Sequence, residues 1–539
     1  MYSEGGQLRP CSSELSGQRK SYTEVPSAPV THCCLLLLFP PSQQLRQARS
    51  GPKPNLLLGN LLTFRKKLIS QAYKEWAEQY GETFGYFEGP TPVLVTSNAD
   101  LLNQVFIKQF NNFHARKLWP VQADPDQDEE IHLFFARGQR WKRLRSAVNA
   151  GFTAAKLRKM QNQMSLCADK LLEVVDRTIE EKEDCRVDFS KLFRQLTFDI
   201  IGRSALGIDS DALRDPQCGF IKHCEDVIED TTKQPVLYTL GFLFPSLSKL
   251  WIAIYKFMHH IQFNPVYWIE DRLRAWVKAR KESEERTDDL LQQMLDARYP
   301  VNRHQDLDTT HQPHIDENGN ISKGPLLRSL TESEVIAHSL LFLLAGYETT
   351  SSTLSYIFYE LALHPHVQDR MRQEVVDVLE DDEEPTYDNI RNLTYMDMVI
   401  SETLRKYPLA SIVVARQCQD ACQIEGINIP SGMLVQANLW TLHQDPKHWG
   451  PDSDSFDPLR FTLEKKAERH SMAFMPFGAG PRMCIGQRFS IVQMKITMAK
   501  LLRRYKIERT SDLQVPLKLK EGAAILPIHN IALRTERIS

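Results

Sequence analysis

Residues 477–486 read Phe-Gly-Ala-Gly-Pro-Arg-Met-Cys-Ile-Gly, and the rest of the chain is best interpreted outward from this stretch. Its single thiol, Cys484, has glycines on both sides, and glycine lacks a Cβ and accepts φ > 0. Such a loop can approach a flat surface closely, with backbone N–H groups directed at the sulfur, where they stabilise a thiolate. Arg482 adds a permanent positive charge that favours the same ionised form.

A lone cysteine is usually a small buried hydrophobic residue, and that interpretation suits most of the ten cysteines in the chain. Cys484 differs because of its loop. No second Cys or His lies nearby in the sequence at the spacing of a zinc site, which argues against tetrahedral zinc. A single thiolate instead suits a planar metal cofactor that needs one axial ligand, and haem iron bound by Cys is the known example.

The loop resembles Phe-x-x-Gly-x-Arg-x-Cys-x-Gly, the haem-binding signature of the cytochrome P-450 monooxygenases. Its fixed positions are occupied here by Phe477, Gly480, Arg482, Cys484 and Gly486. This resemblance implies a mainly α fold with a small β-rich lobe, haem b as the cofactor and Cys484 as the ligand of its iron. It also implies that Phe477, Arg482 and Gly486 contact the cofactor. Across residues 51–530 the motifs are most similar to those of the animal clan that contains xenobiotic oxidases and thromboxane synthase.

A second motif, Ala345-Gly-Tyr-Glu-Thr-Thr, lies in the middle of the long helix predicted for residues 330–362. A glycine and an acidic residue inside a helix lower its stability, and such a broken local rule often marks function. Leu341, Ala345 and Thr349 recur every four residues and would form one face. The small Ala345 and Gly346 would let a cofactor or substrate lie against it, and Thr349 could hydrogen-bond back to a carbonyl. The alternative is a buried helix with a threonine in its core.

The same segment resembles the family's oxygen-activation motif. That resemblance implies that Glu348 and Thr349 are catalytic and organise proton delivery, and that Ala345 contacts the cofactor. The expected substrate contacts are Leu341, Ala345, Leu409, Ile412 and Ile525. Because these side chains are mostly aliphatic, they favour a lipophilic small molecule such as a lipid, a sterol or a xenobiotic.

Trp141 and Arg145 are four residues apart and would share one helix face. By itself this pattern favours a basic, solvated helix with one anchoring Trp. The resemblance implies instead that Trp141, Arg145, Arg416 and Arg482 neutralise the haem propionates. Arg416 lies one residue further from Pro408 than the family pattern has it.

Six further cations lie near Trp141 in the sequence: Arg140, Lys142, Arg143, Lys156, Arg158 and Lys159. We expect them to form one basic surface beside the haem, suited to docking an acidic electron donor. The resemblance implies that this donor is an NADPH-dependent flavoprotein reductase, with a small cytochrome as a further donor.

Glu402 and Arg405 form an i,i+3 pair, which is common and usually contributes little to stability. Here the pair resembles the family's Glu-x-x-Arg motif, and Arg460 lies in a segment that resembles the third member of a buried triad. The resemblance therefore implies a structural role for all three residues.

Composition sets the remaining limits. Lys plus Arg number 66 and Asp plus Glu number 68, so the chain lacks the excess of positive charge that would indicate a nucleic-acid partner. The ten cysteines lack framework spacing, which favours a reducing compartment. Residues 1–50 are rich in Ser, Gln and Pro, and their one apolar run, Cys33–Phe39, is far shorter than the roughly 20 residues that span a bilayer. We expect an atypical, disordered leader without an anchor helix, followed by a monooxygenase domain at residues 51–539.

Residues 234–268 contain only two charged residues, Lys249 and Lys256, and carry aromatic and aliphatic clusters interrupted by prolines. The pattern is typical of buried core helices, and the alternative is a patch that dips into a membrane surface, which the resemblance favours. Together with the resemblance, it predicts a protein on the cytosolic face of the endoplasmic reticulum membrane.

The function that the resemblance implies is insertion of one oxygen atom from O2 into a lipophilic molecule. The balanced reaction is R–H plus O2, two electrons and two protons, giving R–OH and water. One alternative is a haem-thiolate isomerase of a lipid peroxide, which needs neither electrons nor a proton relay. The other is a non-catalytic haem-binding sensor.

Overall fold

The computed structural model describes the chain from Gly51 to Ile538 with several gaps. The described residues are 51–55, 58–118, 124–215, 218–233, 236–261, 265–284, 286–297, 314–315, 321–322, 330–380, 383–521, 527–528 and 530–538. The leader predicted for residues 1–50 lies outside them, so the domain boundary at residue 50 stays a prediction.

Helices form most of the described protein. In chain order they are α1 (Leu61–Phe64), α2 (Ile69–Tyr80), α3 (Ala99–Asn103), α4 (Gly138–Asn149), α5 (Ala154–Glu181), α6 (Phe189–Ile201), α7 (Gly219–Lys233), α8 (Val236–Leu243), α9 (Ser248–His260), α10 (Pro265–Glu282), α11 (Leu290–Asp296), α12 (Glu332–Leu363), α13 (Pro365–Val378), α14 (Thr394–Lys406), α15 (Leu439–Gln444), α16 (Pro446–Trp449), α17 (Leu463–Glu468) and α18 (Gln487–Arg504). Short π-helical segments follow α3 and α6, at Gln104–Lys108 and Gly202–Leu206.

The strands are short. They are β1 (Thr83–Glu88), β2 (Thr91–Thr96), β3 (Arg186–Asp188), β4 (His314–Ile315), β5 (Ile321–Ser322), β6 (Ala415–Gln417), β7 (Cys422–Ile424), β8 (Ile427–Ile429), β9 (Leu434–Ala437), β10 (Tyr505–Glu508) and β11 (Ala532–Arg537). One sheet has the order β1-β2-β9-β6, in which β2 and β9 are parallel and the other pairs antiparallel. A second sheet joins β10, β11 and β3. Mostly helical structure with small sheets confirms the predicted fold class.

Helix α12 is the longest of the described helices and runs through the main hydrophobic core. A capping box begins it: the Thr331 hydroxyl accepts from the Glu334 N–H, and the Glu334 carboxylate accepts from the Thr331 N–H. The helix ends at Leu363, one residue before His364-Pro365, because a residue that precedes proline avoids the α conformation. These bounds agree with the helix predicted from the sequence.

Gly346 shows how closely α12 packs on α6. A Cβ added at Gly346 would lie 2.9 Å from Cδ1 of Ile201 on α6. The next residue, Tyr347, strengthens this contact, because its carbonyl oxygen accepts a hydrogen bond from the Thr197 hydroxyl (2.9 Å). The small residue therefore serves helix–helix packing, and the expectation that Gly346 makes room for a cofactor or substrate is wrong.

The apolar segment predicted to meet a membrane folds as α8, a 3₁₀ turn (Pro245–Leu247) and α9. In the described part of the chain no single helix is long and apolar enough to cross a bilayer, and the pair formed by α8 and residues 245–258 is bent by 110°. Five large apolar side chains of this segment are exposed: Val236, Leu247, Leu250, Phe257 and Ile261. Phe242 and Trp251 are only half-exposed, and the indole N–H of Trp251 donates to the Phe244 carbonyl (2.9 Å).

Candidate active site around Cys484

Two glycines shape the loop that carries Cys484. Gly478 and Gly480 have φ of +75° and +68°, the left-handed region that glycine occupies most readily. Gly480 also meets the π-helical segment 104–108, since an added Cβ would lie 2.0 Å from the Phe106 carbonyl oxygen. Gly486 differs: its φ is −84°, and it caps the N-terminus of α18. Unusual backbone freedom is therefore required only on the N-terminal side of the cysteine.

The thiol of Cys484 is accessible, although protein surrounds much of it. The Cys484 N–H donates to the Phe477 carbonyl oxygen (2.9 Å) and closes the loop. Desolvation raises the pKa of the Cys484 thiol, whereas the N–H of Gly486 and the positive charges of Arg145 and Arg116 lower it. A bound metal cation would add the dominant positive charge and deprotonate the thiol outright.

Four arginines lie together near this thiol and are called here the arginine cluster: Arg116, Arg145, Arg416 and Arg482. A guanidinium N–H of Arg116 donates to the Arg482 carbonyl oxygen (3.1 Å), and the Arg482 guanidinium lies 4.7 Å from the centre of the Trp141 ring. Arg416 and Arg482 are buried. Within the described residues, the hydrogen bonds of Arg116, Arg416 and Arg482 go to main-chain carbonyl oxygens, and the cluster has no ion pair with a carboxylate.

The cluster is electrostatically unfavourable as it stands. Desolvation, together with the charges of Arg116 and Arg145, lowers the pKa of Arg482 to about 8. Desolvation is also the main cause that lowers the pKa of Arg116 to about 10. The Nε atoms of Arg416 and Arg482 are buried and have no hydrogen-bond partner among the described residues. The two carboxylates of haem b would supply both acceptors and opposite charge, so the residues present fit that cofactor.

Arg116 is the member of the cluster that sequence reasoning missed. Its local sequence, an arginine beside Lys117, is common on protein surfaces and carries no motif. A bridge between Ala115 and Gln417 brings it next to the strand that carries Arg416, three hundred residues later in the chain. Only this long-range pairing identifies Arg116 as part of the site.

The predicted face of α12 is open. Ala345 is exposed, while Leu341 and Thr349 are half-buried. The Thr349 hydroxyl donates to the Ala345 carbonyl oxygen (2.7 Å), which is the back-bond expected from the sequence. The hydroxyl thereby keeps lone pairs available on an accessible surface of the helix.

Glu348 lies on a different face, buried against α6. Its carboxylate accepts from the Ser352 hydroxyl (3.2 Å) and lies 3.9 Å from Arg194 Nε. Desolvation raises the pKa of Glu348 to about 7, with Arg194 and Ser352 opposing that shift and Glu225 adding to it. Arg194 in turn lies 3.5 Å from Glu225, a half-exposed carboxylate on α7. The two predicted catalytic residues are therefore neighbours in sequence whose side chains lie on different faces of one helix.

The structure brings Glu402, Arg405 and Arg460 together in the core. Two guanidinium nitrogens of Arg405 donate to the two oxygens of Glu402 at 2.7 Å each, and both residues are fully buried. Arg460 lies 3.6 Å from Glu402 and also binds Asp452. This geometry agrees with the structural role that the resemblance implies.

The predicted substrate contacts lie in different surroundings. Leu341 and Ala345 share the open face of α12. Leu409 is buried in the main core, and Ile412 lines a small cavity beside Ser70, Tyr73 and Trp440. Ile525 lies outside the described residues.

The predicted basic docking surface is wrong in its details, because most of its cations are paired. Arg140 and Arg143 both bind the buried Glu334 carboxylate. Lys156 and Lys159 both pair with Asp288, and Arg158 pairs with Asp388. Of the six cations only the exposed Lys142 has no carboxylate partner in the described part of the chain. These partners lie far away in sequence, so the composition of residues 137–159 could not reveal them.

The class of protein is defined by a mainly α fold with a small β-rich lobe and by a cysteine loop beside arginines that have no carboxylate partner among the described residues. This is the haem-thiolate class. The family model for cytochrome P450 matches residues 50–534. The chain is 33% identical over 509 residues to the putative cytochrome P450 CYP13A4 of Caenorhabditis elegans, over 91% of this chain and 94% of that protein. It is 31% identical over 503 residues to thromboxane-A synthase of Sus scrofa, over 90% and 91%. The chain therefore belongs to the cytochrome P450 family and is an oxidoreductase that uses haem iron.

Replacing Gly480 by Ala tests the shape of the cysteine loop. The new Cβ would meet the Phe106 carbonyl oxygen at 2.0 Å, so we expect reduced haem content and a lower unfolding midpoint. Gly478→Ala is the matched control, because its φ is also positive but nothing lies within 4 Å of the new Cβ. The control should lose about 1–2 kcal/mol of stability from backbone strain alone, and Gly480→Ala about 1–3 kcal/mol more from overpacking. Equal losses in the two variants would contradict the contact with Phe106.

Replacing Glu348 by Gln tests its burial through pH. The Glu348 carboxyl has a pKa of about 7 in the folded protein, against an ordinary value of 4.5. Between these two pH values the folded protein keeps this carboxyl protonated, whereas the unfolded chain loses the proton. The contribution of this bound proton to the free energy of unfolding is complete below pH 4.5. It is lost as pH rises to 7, by roughly 3 kcal/mol in total. The difference in unfolding free energy between wild type and Glu348→Gln should therefore shift in favour of the variant across this range. Urea unfolding of both proteins between pH 5 and 8 measures it, and a constant difference would contradict the raised pKa.

Proposed function

We propose that this chain hydroxylates a lipophilic small molecule with electrons from an NADPH-dependent flavoprotein reductase. The observation that carries the proposal is Thr349, whose hydroxyl lies on the open face of α12 while the buried Glu348 carboxyl, with a pKa of about 7, adjoins it in sequence. When bound, haem b with a thiolate ligand favours cleavage of the O–O bond of O2. That chemistry consumes two protons, which must enter an otherwise apolar region through a few placed groups.

The residues on the two sides of α12 divide the proton path between them. A carboxyl with a pKa near neutrality is both a donor and an acceptor of protons at physiological pH, which is the optimum for acid–base catalysis. Glu348 has this property because it is buried, and Arg194 links it to the half-exposed Glu225 at the surface of α7. Rotation of the Glu348 side chain would carry a proton from the side of Glu225 to the open face of α12. There the Thr349 hydroxyl would hold the proton in position.

A second candidate function is isomerisation of a lipid peroxide. The similarity to thromboxane-A synthase of Sus scrofa favours it. Isomerisation needs no external proton, however, and the Glu348–Thr349 pair would then have no task. Conversion of a lipid peroxide in the absence of any reductase would support this second function, and strict dependence on the reductase would support the first.

The described cations restrict how an electron donor docks. Five of the six predicted cations are paired. Lys142, and Arg488 at the start of α18, are two exposed cations without a carboxylate partner among the described residues. We place the docking surface of an acidic reductase, or of a small cytochrome, around these two residues and the exposed Met483. Exposed charges of this kind act mainly on the association rate.

The proton path predicts the effect of replacing Thr349 by Ala. Alanine is the better helix former, so folding and haem content should be retained while the hydroxyl is lost. We expect product formed per NADPH to fall by roughly 10²-fold, the lower end of what a placed proton donor contributes, with the electrons recovered as hydrogen peroxide. The measurement compares NADPH consumed, peroxide and product, with a lipophilic ligand first identified by its effect on the haem spectrum.

Thr353→Ala is the matched control for Thr349→Ala. Its hydroxyl makes the same kind of back-bond, to the Thr349 carbonyl oxygen (2.8 Å), but it is buried one turn further along α12. The control should couple electrons to product as the wild type does. If Thr349→Ala also couples normally, the proton-relay role assigned to its hydroxyl is wrong.

We propose that the protein lies on the cytosolic face of the endoplasmic reticulum membrane through the apolar patch of α8 and α9. The five exposed apolar side chains of this patch favour insertion into the interface. Replacing Leu250 and Phe257 by Ser should reduce flotation of the protein with phospholipid vesicles. Leu166 and Leu463, exposed apolar residues on α5 and α17, form the control pair, and their replacement by Ser should leave flotation unchanged. Equal effects of the two double variants would count against the patch.

A further inference from the structure

Two cysteines other than Cys484 lie side by side. The Sγ atoms of Cys418 and Cys422 are 3.9 Å apart, and both are free thiols. The described chain contains five other free cysteines, and none of them has such a sulfur neighbour there. A disulfide bond is about 2.05 Å long, so the two sulfurs need to approach by about 2 Å to bond. Rotation of one side chain about χ1 moves a sulfur by that order of distance.

The surroundings give the two thiols different roles. Cys418 is fully buried, and its S–H donates to the Asp420 carbonyl oxygen (3.0 Å). Desolvation, together with the neighbouring Cys422 thiol, raises the pKa of Cys418 to about 12. Cys422 begins β7 and is half-exposed, so a small oxidant can reach it from solvent. A reachable thiol beside a protected one is the arrangement in which an oxidised sulfur is resolved by its neighbour.

The loop between the two cysteines is held in place. Asn112 binds it on one side: the Gln419 N–H donates to the Asn112 carbonyl (2.9 Å), the Asp420 N–H to its side-chain oxygen (2.7 Å), and its amide donates back to Asp420 (2.8 Å). On the other side the carbonyl oxygen of Cys418 accepts a hydrogen bond from the Gly432 N–H (2.8 Å). These bonds keep the two sulfurs close, so little chain entropy is lost when they join.

We propose that Cys418 and Cys422 form an oxidisable dithiol site, which hydrogen peroxide converts into an intrachain disulfide. In the first step the Cys422 sulfur attacks peroxide, the O–O bond breaks, and a sulfenic acid and water form. In the second step the Cys418 sulfur attacks the Cys422 sulfur, the S–O bond breaks and a second water leaves. Two thiols lose two electrons and two protons in total, and peroxide accepts them. The inference does not depend on the proposed function.

The position of the pair places this modification next to the arginine cluster. Cys418 directly follows β6, which carries Arg416 of the arginine cluster. Asn112, which binds the loop, lies four residues before Arg116 in the sequence and close to the bridge between Ala115 and Gln417. The dithiol loop thus abuts both segments that bring these two arginines together.

The test uses the full-length, haem-loaded protein, which is treated with hydrogen peroxide while folded, then unfolded in denaturant with a thiol-alkylating reagent, and analysed by peptide mass spectrometry. We expect the peptide that contains residues 418–422 to lose both alkylation sites, to become lighter by two hydrogen atoms, and to recover both sites after dithiothreitol. Cys218 and Cys224 form the matched control, because they are close in sequence but have no sulfur contact, and both should remain alkylatable. Diamide in place of peroxide should give the same pattern without reacting with haem.

A variant separates the two steps. In Cys418→Ser the disulfide cannot form, so Cys422 should accumulate as a sulfenic acid that dimedone traps. The proposal is overturned if both thiols of the wild type stay alkylatable under conditions that fully oxidise a model dithiol peptide. It is equally overturned if Cys418 and Cys422 are lost no faster than Cys218 and Cys224. The wild-type measurement decides the matter even where the variant fails to fold.

Discussion

Four guanidinium groups held near one thiol, without a carboxylate among the described residues, are the constraint on which this site depends. Like charges in a desolvated space raise the free energy of the folded chain, and two of the arginines also carry buried Nε atoms without acceptors. A planar dianionic cofactor offsets both costs at once. Cofactor binding is therefore linked to folding, because a ligand that binds only the native state stabilises it by mass action. The same positive potential favours the ionised form of Cys484, so one set of charges would favour both the thiolate ligand and the carboxylates of a bound haem.

Helix α12 separates an open side from a buried side, and this separation organises the chemistry. The Thr349 hydroxyl and Ala345 lie where a substrate or cofactor has access, whereas Glu348 faces α6 with Arg194. Burial is what moves the Glu348 pKa to about 7 and makes it useful as a proton donor and acceptor. Gly346 contributes indirectly, since its lack of a Cβ lets α6 approach closely enough to bury that carboxyl.

The surface charges show why a list of cations is a poor guide to a docking face. Arg143 and Glu334 are 191 residues apart in sequence and yet form a bidentate pair, which also holds the capped first turn of α12. Asp288 neutralises two lysines of α5 in the same way. These pairs tie α4 and α5 to their neighbours, and they leave Lys142 as the one cation of the predicted basic surface without a carboxylate partner among the described residues. The proposed docking surface is therefore smaller than the sequence composition implied.

The sequence alone determined the features that depend on neighbours in the chain. A short motif specifies local geometry, and four features follow from it: the glycine-flanked loop of Cys484, the i,i+4 pair Trp141 and Arg145, the back-bond of Thr349 and the bounds of α12. Tertiary structure decided the rest: Arg116 in the cluster, the partners of the surface cations, the packing role of Gly346, and the proximity of Cys418 and Cys422 within a loop held by Asn112. Each of these depends on which distant segments the topology brings together, and a contact between residues hundreds of positions apart leaves no periodic trace in a single sequence.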